Sequence, residues 1–235
     1  MNSLPELLVV MPVFNEQESI ERVLMEWMSA LEAANTGFLL LVINDGSTDG
    51  TADVLAKLGI HFGDKLEVRS RGNLGHGQTC LEGYRIALER NIPFILQIDS
   101  DGQSSAVHFH EFWSLRNSYD VIYGKRQRSD GMRRVFASAL LRLLLRLRAG
   151  VDCVDANVPY RLMNARACGF AIRKIPPSID LANIAMAICL KRNPAIRHGA
   201  VRIAFPPRIG GEPSVPFSKF AIKALELGQQ IKQLN

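Results

Sequence analysis

The sequence predicts an α/β fold, a doubly wound and mostly parallel sheet with helices on both faces. Three observations carry that reading. Apolar runs of strand length recur at Leu7–Val13, Phe38–Ile43 and Phe94–Ile98, with a further short strand at Leu66–Arg69. Each run ends abruptly in polar, turn-forming residues. Segments of helical length separate the runs, and alternation of strand, turn and helix requires parallel βαβ units.

Leu7–Val13 (LLVVMPV) is apolar throughout, as a strand buried on both faces must be. It closes on Pro12-Val13-Phe14-Asn15-Glu16, and Ser19–Ala34 follows as an amphipathic helix. Phe38–Ile43 ends in Asn44-Asp45-Gly46-Ser47-Thr48-Asp49-Gly50-Thr51, whose N-cap residues lead into a helix over Thr51–Leu58. The short strand Leu66–Arg69 precedes Asn73-Leu74-Gly75-His76-Gly77-Gln78, a glycine-bracketed loop, and then a helix from about Thr79 to Arg90. Pro93 introduces Phe94–Ile98, which ends in Asp99-Ser100-Asp101-Gly102-Gln103. Asp120–Gly124 reads as a further strand running into Lys125-Arg126. Arg133–Arg148 is a helix with leucines almost all round; it suits either a core helix with snorkelling arginines or one lying on an anionic bilayer. Ser178-Ile179-Asp180 opens a helix to about Arg192, with Asp180 as its N-cap candidate, and Val201–Phe205 is a strand. The expected organisation is one domain over 1–215 and an amphipathic helix over 216–235.

At 235 residues and 47% hydrophobic content the chain suits one sizeable packed domain. Its four cysteines lack metal-ligand spacing and read as reduced packing residues of a cytosolic protein. No leader is visible before the first strand, and no apolar run approaches the roughly 20 residues that span a bilayer. The net charge of +5 is concentrated: Arg126–Arg148 holds seven arginines against one acid, Asp130. That excess suits phosphate groups or an anionic surface. No helix-turn-helix or finger pattern accompanies it, so nucleic acid is not an expected partner.

Asp99 and Asp101 stand one residue apart at a strand's carboxyl end, where open α/β sheets collect ligands. Their mutual repulsion is relieved by a hard cation, Mg2+ or Mn2+, with phosphate oxygens completing its shell. Asp-x-Asp-Gly also suits a plain turn or an N-cap. Asn15, Glu16, Asp45 and Asn73 fall on the same sheet edge and could accept hydrogen bonds from ribose hydroxyls and base N–H groups. Neither Gly-x-Gly-x-x-Gly nor a Walker lysine loop follows the first strand, so dinucleotide and P-loop sites are excluded.

Taken together, Val10-Met11-Pro12-Val13-Phe14-Asn15-Glu16, Asn44 to Thr51, Asn73-Leu74-Gly75-His76-Gly77 and Asp99-Ser100-Asp101-Gly102-Gln103 resemble the ordered motifs of family-2 glycosyltransferases with the GT-A fold. The likeness is closest to the dolichyl-phosphate mannosyltransferase-like branch. It implies that Pro12, Val13, Phe14, Asn15 and Glu16 line the base and ribose, and that Asp45, Ser47, Asn73, Gly75, Asp99, Ser100 and Asp101 complete the nucleotide-sugar site. Asp99 and Asp101, with Gln103, would hold Mg2+ or Mn2+. Arg126, Arg134, Ser138, Arg161 and Arg208 would contact an acceptor phosphate. Asp101 and Asp180 are the catalytic candidates, Asp180 as general base if the acceptor is a hydroxyl. His76 stands where many relatives have lysine, which implies a titratable and weaker phosphate contact.

The implied function is metal-dependent, inverting transfer of a sugar from a GDP- or UDP-linked donor to a polyprenyl phosphate. The enzyme would sit peripherally at the cytoplasmic face of the membrane, on the lipid surface or on a membrane-protein partner. The alternatives are a relative using a sugar hydroxyl acceptor, a nucleotidyltransferase, or a non-catalytic nucleotide-sugar-binding module.

Overall fold

The computed structural model describes residues 4–126, 142–143, 145–153 and 156–204. The elements are β1 (Leu7–Val13), α1 (Ile20–Ala33), β2 (Phe38–Asp45), α2 (Thr51–Phe62), β3 (Leu66–Arg71), α3 (His76–Glu89), β4 (Phe94–Gln97), α4 (Phe109–Ser114), β5 (Val121–Arg126), β6 (Arg161–Asn164), α5 (Ala165–Ile172), α6 (Ala182–Lys191) and β7 (His198–Ile203). The strands form one sheet in the order β3-β2-β1-β4-β6-β5-β7. Pairing is parallel except where β6 runs against β4 and β5. Helices α1, α2 and α4 associate with one another, and α3, α5 and α6 form a second group. The doubly wound expectation therefore holds.

The central strand β1 is buried at all seven positions, which explains its unbroken apolar sequence. On one face Trp27 of α1 meets Phe109 and Tyr160 edge-on, and its indole N–H donates to the Ser104 carbonyl at 3.0 Å. On the other face α3 lies directly on β1. A Cβ at Gly83 would stand 2.3 Å from Val10 Cγ1, so only glycine permits this approach. All four cysteines are free and buried, as expected of packing residues.

Several boundaries differ from the sequence expectation. Helix α3 begins at His76, three residues early, because Gly75 (φ +92°) caps it and Thr79 turns back onto the Gly75 carbonyl. Helix α6 is capped by Leu181 rather than Asp180. Helices α4 and α5 and strand β6 were not expected. Asp120, at the foot of β5, ties the far half of the sheet together by accepting from Asn164, Arg166 and Arg197. Burial alone would raise its carboxyl, but those donors outweigh it and hold the group well below the usual carboxylate range. The helix expected over 216–235 lies outside the described residues.

Candidate active site

The chain leaves β1 towards β2 on one side, while β4, on β1's other side, returns from β3. This is a topological switch point, where the carboxyl ends of neighbouring strands open a crevice. Val10 pairs with Gln97, and the Ile98 N–H donates to the Val10 carbonyl at 3.1 Å. The turn after β1 and the two carboxylates after β4 are thereby placed side by side.

The turns after β1 and β2 are joined by reciprocal bonds. Asn15 (φ +55°) donates its N–H to Ser47 Oγ at 2.9 Å and accepts from the Thr48 N–H at 2.8 Å. Glu16 donates its N–H to Thr51 Oγ1, and its buried carboxylate accepts from Ser19 Oγ at 2.7 Å. Pro12 and Val13 are buried within the strand end, whereas Phe14 is 44% exposed at the mouth of the crevice. Such a ring is available for stacking on a planar ligand.

Asp45 ends β2 and is buried. Its two oxygens accept the backbone N–H groups of Leu74 (2.9 Å) and Gly75 (2.8 Å), and Arg71 Nη2 lies 3.1 Å away. The carboxylate thus fixes the loop holding Asn73 and Gly75. Arg71, which sequence reasoning missed, braces it from the end of β3; a polar residue closing a strand was the available signal. Asp45→Ala leaves the Leu74 and Gly75 N–H groups without their acceptor and removes one of the partners of Arg71, which keeps Thr79 and Glu82. It should lower stability by about 1–3 kcal/mol, read as a fall in melting temperature.

Asp99 and Asp101 follow β4, with Ser100 buried between them. Asp101 Oδ1 accepts the Gln103 N–H at 3.0 Å across the turn made by Gly102 (φ +76°). Asp99 Oδ1 faces His76 Nε2 at 2.9 Å and Gln97 Nε2 at 3.5 Å. Cys80 first, and then Asp99, hold the His76 imidazolium well above its ordinary value against the opposing cost of burial.

Among the described residues no three His, Cys, Asp or Glu side chains converge in metal-binding geometry. The donor set nevertheless fits a hard cation, because Mg2+ is commonly bound by one or two carboxylates with substrate phosphates and water completing the shell. Asp99 and Asp101 supply that minimum.

The residues expected at the acceptor are dispersed. Arg126 closes β5 at the crevice edge. Arg161 is fully buried at the start of β6, donating Nη2 to the carbonyls of Ala156 (3.3 Å) and Asn183 (3.0 Å). It therefore braces the core beneath the edge and is closed to solvent, with Nε and Nη1 lacking a hydrogen-bond partner. Asp180 is exposed, with its carbonyl packed against Gly77 in the first turn of α3. Arg134, Ser138 and Arg208 lie outside the described residues. Of the helix expected over Arg133–Arg148, the described part turns Leu145 and Ala149 inwards against Ile184 and Ile188. Leu143 and Leu147 are exposed, and Arg142 and Arg146 both bind Asp152.

Comparison with known proteins agrees with this architecture. Residues 8–175 match the family model described as glycosyl transferase family 2. An undecaprenyl-phosphate 4-deoxy-4-formamido-L-arabinose transferase of Salmonella choleraesuis is 26% identical over 156 residues, 65% of this chain and 47% of that protein. The chain thus spans about half the length of the curated relatives it matches. Among solved structures, the glucosyl-3-phosphoglycerate synthase of Mycobacterium tuberculosis, in complex with Mn2+, UDP and phosphoglyceric acid, superposes with a TM-score of 0.73 at 16% identity, over 98% of this chain and 79% of that one. S. aureus TarS 1–349 gives 0.55 at 17% identity, over 83% and 57%. The matched segment includes the switch-point crevice and both halves of its wall, and on that ground the chain belongs to glycosyl transferase family 2, a glycosyltransferase of the GT-A fold.

Proposed function

We propose that this protein transfers a sugar, with inversion, from a nucleoside-diphosphate donor to a polyprenyl phosphate. One observation carries the reading: paired carboxylates stand at the topological switch point, beside a turn network shaped for a nucleoside. Phe14 and the Asp45-fixed loop would bound the base and ribose. Asp99 and Asp101 would hold Mg2+ or Mn2+ against the diphosphate. A divalent cation there supplies charge neutralisation for the departing nucleoside diphosphate. His76, 2.9 Å from Asp99, would lie near those phosphates. A lipid phosphate oxygen is already ionised, so it attacks the anomeric carbon without a strong base and needs only alignment. Arg126, which ends β5 at the crevice edge, would give it.

The relatives named for undecaprenyl phosphate support the acceptor class, and the exposed Leu143 and Leu147 support contact with an apolar surface such as a membrane. No helix among the described residues is long and apolar enough to cross a membrane. A hydroxyl acceptor is the second reading, favoured by the exposure of Asp180 beside α3. It predicts that Asp180→Asn abolishes transfer, whereas the lipid-phosphate reading predicts little effect.

The first test is thermal unfolding with UDP, GDP and their sugars, each with and without Mn2+. One base should stabilise the protein in a metal-dependent way, by about 2.7 kcal/mol at 100 times its dissociation constant. Transfer to undecaprenyl phosphate in detergent then tests the acceptor. Absence of any metal-dependent shift would overturn the donor assignment.

A further inference from the structure

Gln97 is the last residue of β4 and is fully buried in a strand that is otherwise apolar. A buried amide needs partners, and both of its ends have one. Its Oε1 accepts the Tyr84 O–H at 2.9 Å. Its Nε2 reaches Asp99 Oδ1 at 3.5 Å, the outer limit of a hydrogen bond. Tyr84 lies on α3, fully buried, two turns beyond His76. His76 Nε2 takes the same Asp99 oxygen at 2.9 Å. Two side chains of α3 therefore act on one carboxylate oxygen, His76 directly and Tyr84 through Gln97.

The amide can be oriented in only one sense. A carboxylate needs the donor end, Nε2, which turns Oε1 towards Tyr84 and requires its hydroxyl to donate. Burial pushes the Tyr84 phenol well above its ordinary value, so that proton stays in place. Without the hydroxyl, Oε1 is left buried and unpaired. The amide then gains by rotating, and rotation would set a carbonyl oxygen against a carboxylate.

We propose that Tyr84 is a positioning residue for cation binding: acting through Gln97, and together with His76, it occupies Oδ1 of Asp99 and leaves Oδ2 as the oxygen offered to a divalent cation. The proposal rests on the reading of Asp99 as a cation ligand. Partners of this kind orient ligating side chains and typically change metal affinity by about 10- to 100-fold when removed.

The test measures Mn2+ affinity by the electron paramagnetic resonance signal of free Mn2+, with the stabilising nucleoside diphosphate present, in wild type, Tyr84→Phe, Gln97→Met and the double variant. Tyr84→Phe keeps the ring in the core, and Gln97→Met keeps the volume while removing the amide. The expected result is a loss of Mn2+ affinity of about tenfold or more in each single variant. Because Tyr84 acts through Gln97, the double variant should be no worse than Gln97→Met. Metal-free nucleotide affinity should be unchanged, which a merely structural role would not predict. Wild-type affinity in Tyr84→Phe, or additive losses in the double variant, overturns the proposal. If Tyr84→Phe is too unstable to assay, Gln97→Met alone decides it, by the same criterion of metal affinity. Failure of wild type itself to bind Mn2+ would show that the reading of Asp99 and Asp101 is wrong, a result distinct from equal binding by all variants.

Discussion

Asp101→Ala should remove metal-dependent donor binding while leaving the protein folded. Asp101 stands in a half-buried turn beyond the end of β4, where its carboxylate accepts the Gln103 N–H. Losing a turn bond of that kind costs about 1 kcal/mol, a small part of the stability of a sheet of seven strands. Losing one of two carboxylates from a cation site costs far more. A cation held by Asp99 and Asp101 would offset the charge developing on the leaving diphosphate, an effect of several kcal/mol. At about 1.4 kcal/mol per tenfold, turnover should fall by roughly a thousandfold or more. Calorimetric titration with nucleotide and Mn2+, alongside a melting curve, separates binding from folding. Unchanged donor affinity in a folded variant would sink the metal assignment.

Gly77→Ala should be the most damaging small substitution in the first turn of α3. A Cβ there would stand 1.7 Å from the Asp180 carbonyl oxygen, a backbone atom that no rotamer change can move aside. The same junction holds the Gln78 side-chain amide, which donates to the carbonyls of Pro177 (2.8 Å) and Ile179 (2.6 Å). The methyl must push the start of α3 away from the 177–180 segment and break those bonds. Overpacking alone costs about 1–3 kcal/mol, and two weakened hydrogen bonds add to it. The roughly 1 kcal/mol of helix propensity gained over glycine offsets little of this. A net loss of about 3 kcal/mol should lower the melting temperature by roughly 6–12 °C. Gly72→Ala is the control, because a Cβ at Gly72 meets nothing within 4 Å. Equal melting temperatures for the two variants would mean that α3 does not pack on the 177–180 segment as described.

The half of the fold that carries the nucleotide motifs was legible because its strands announce themselves. β1, β2 and β4 are apolar runs cut off by Asn, Asp and Gly, and each forms close to where that pattern stops. β6 escaped notice for a physical reason. Its four residues, Arg161–Asn164, have no periodicity and open on a buried arginine. That strand exists only through long-range pairing with β4 and β5, which local sequence does not encode. The early start of α3 was missed because Gly75-His76-Gly77 has loop composition. Its first turn packs on the Asp180 carbonyl, a hundred residues later in the chain, with no room for a side chain at Gly77. The candidate site divides in the same way. The residues on motif turns, such as Asp45, Asp99 and Asp101, arrive together at the crevice. Their supports Arg71, Tyr84 and Gln97 lie within helices and strands, and only the structure shows which oxygens they reach.

The reversal of β6 has a consequence for how such a protein can diversify. β5 runs towards the crevice and finishes at Arg126, and β6 starts from that same edge at Arg161. The residues numbered 127–160 therefore leave and re-enter the sheet on one side, at neighbouring points. An insertion or deletion among them alters no strand register, and loop-closure cost grows only slowly with length. The strand order and the turns after β1, β2 and β4 can stay constant through such a change, provided that Leu145, Ala149 and Tyr160 keep their core contacts. On the proposed reading, a change of acceptor would then need only one contiguous stretch of coding sequence to be remodelled.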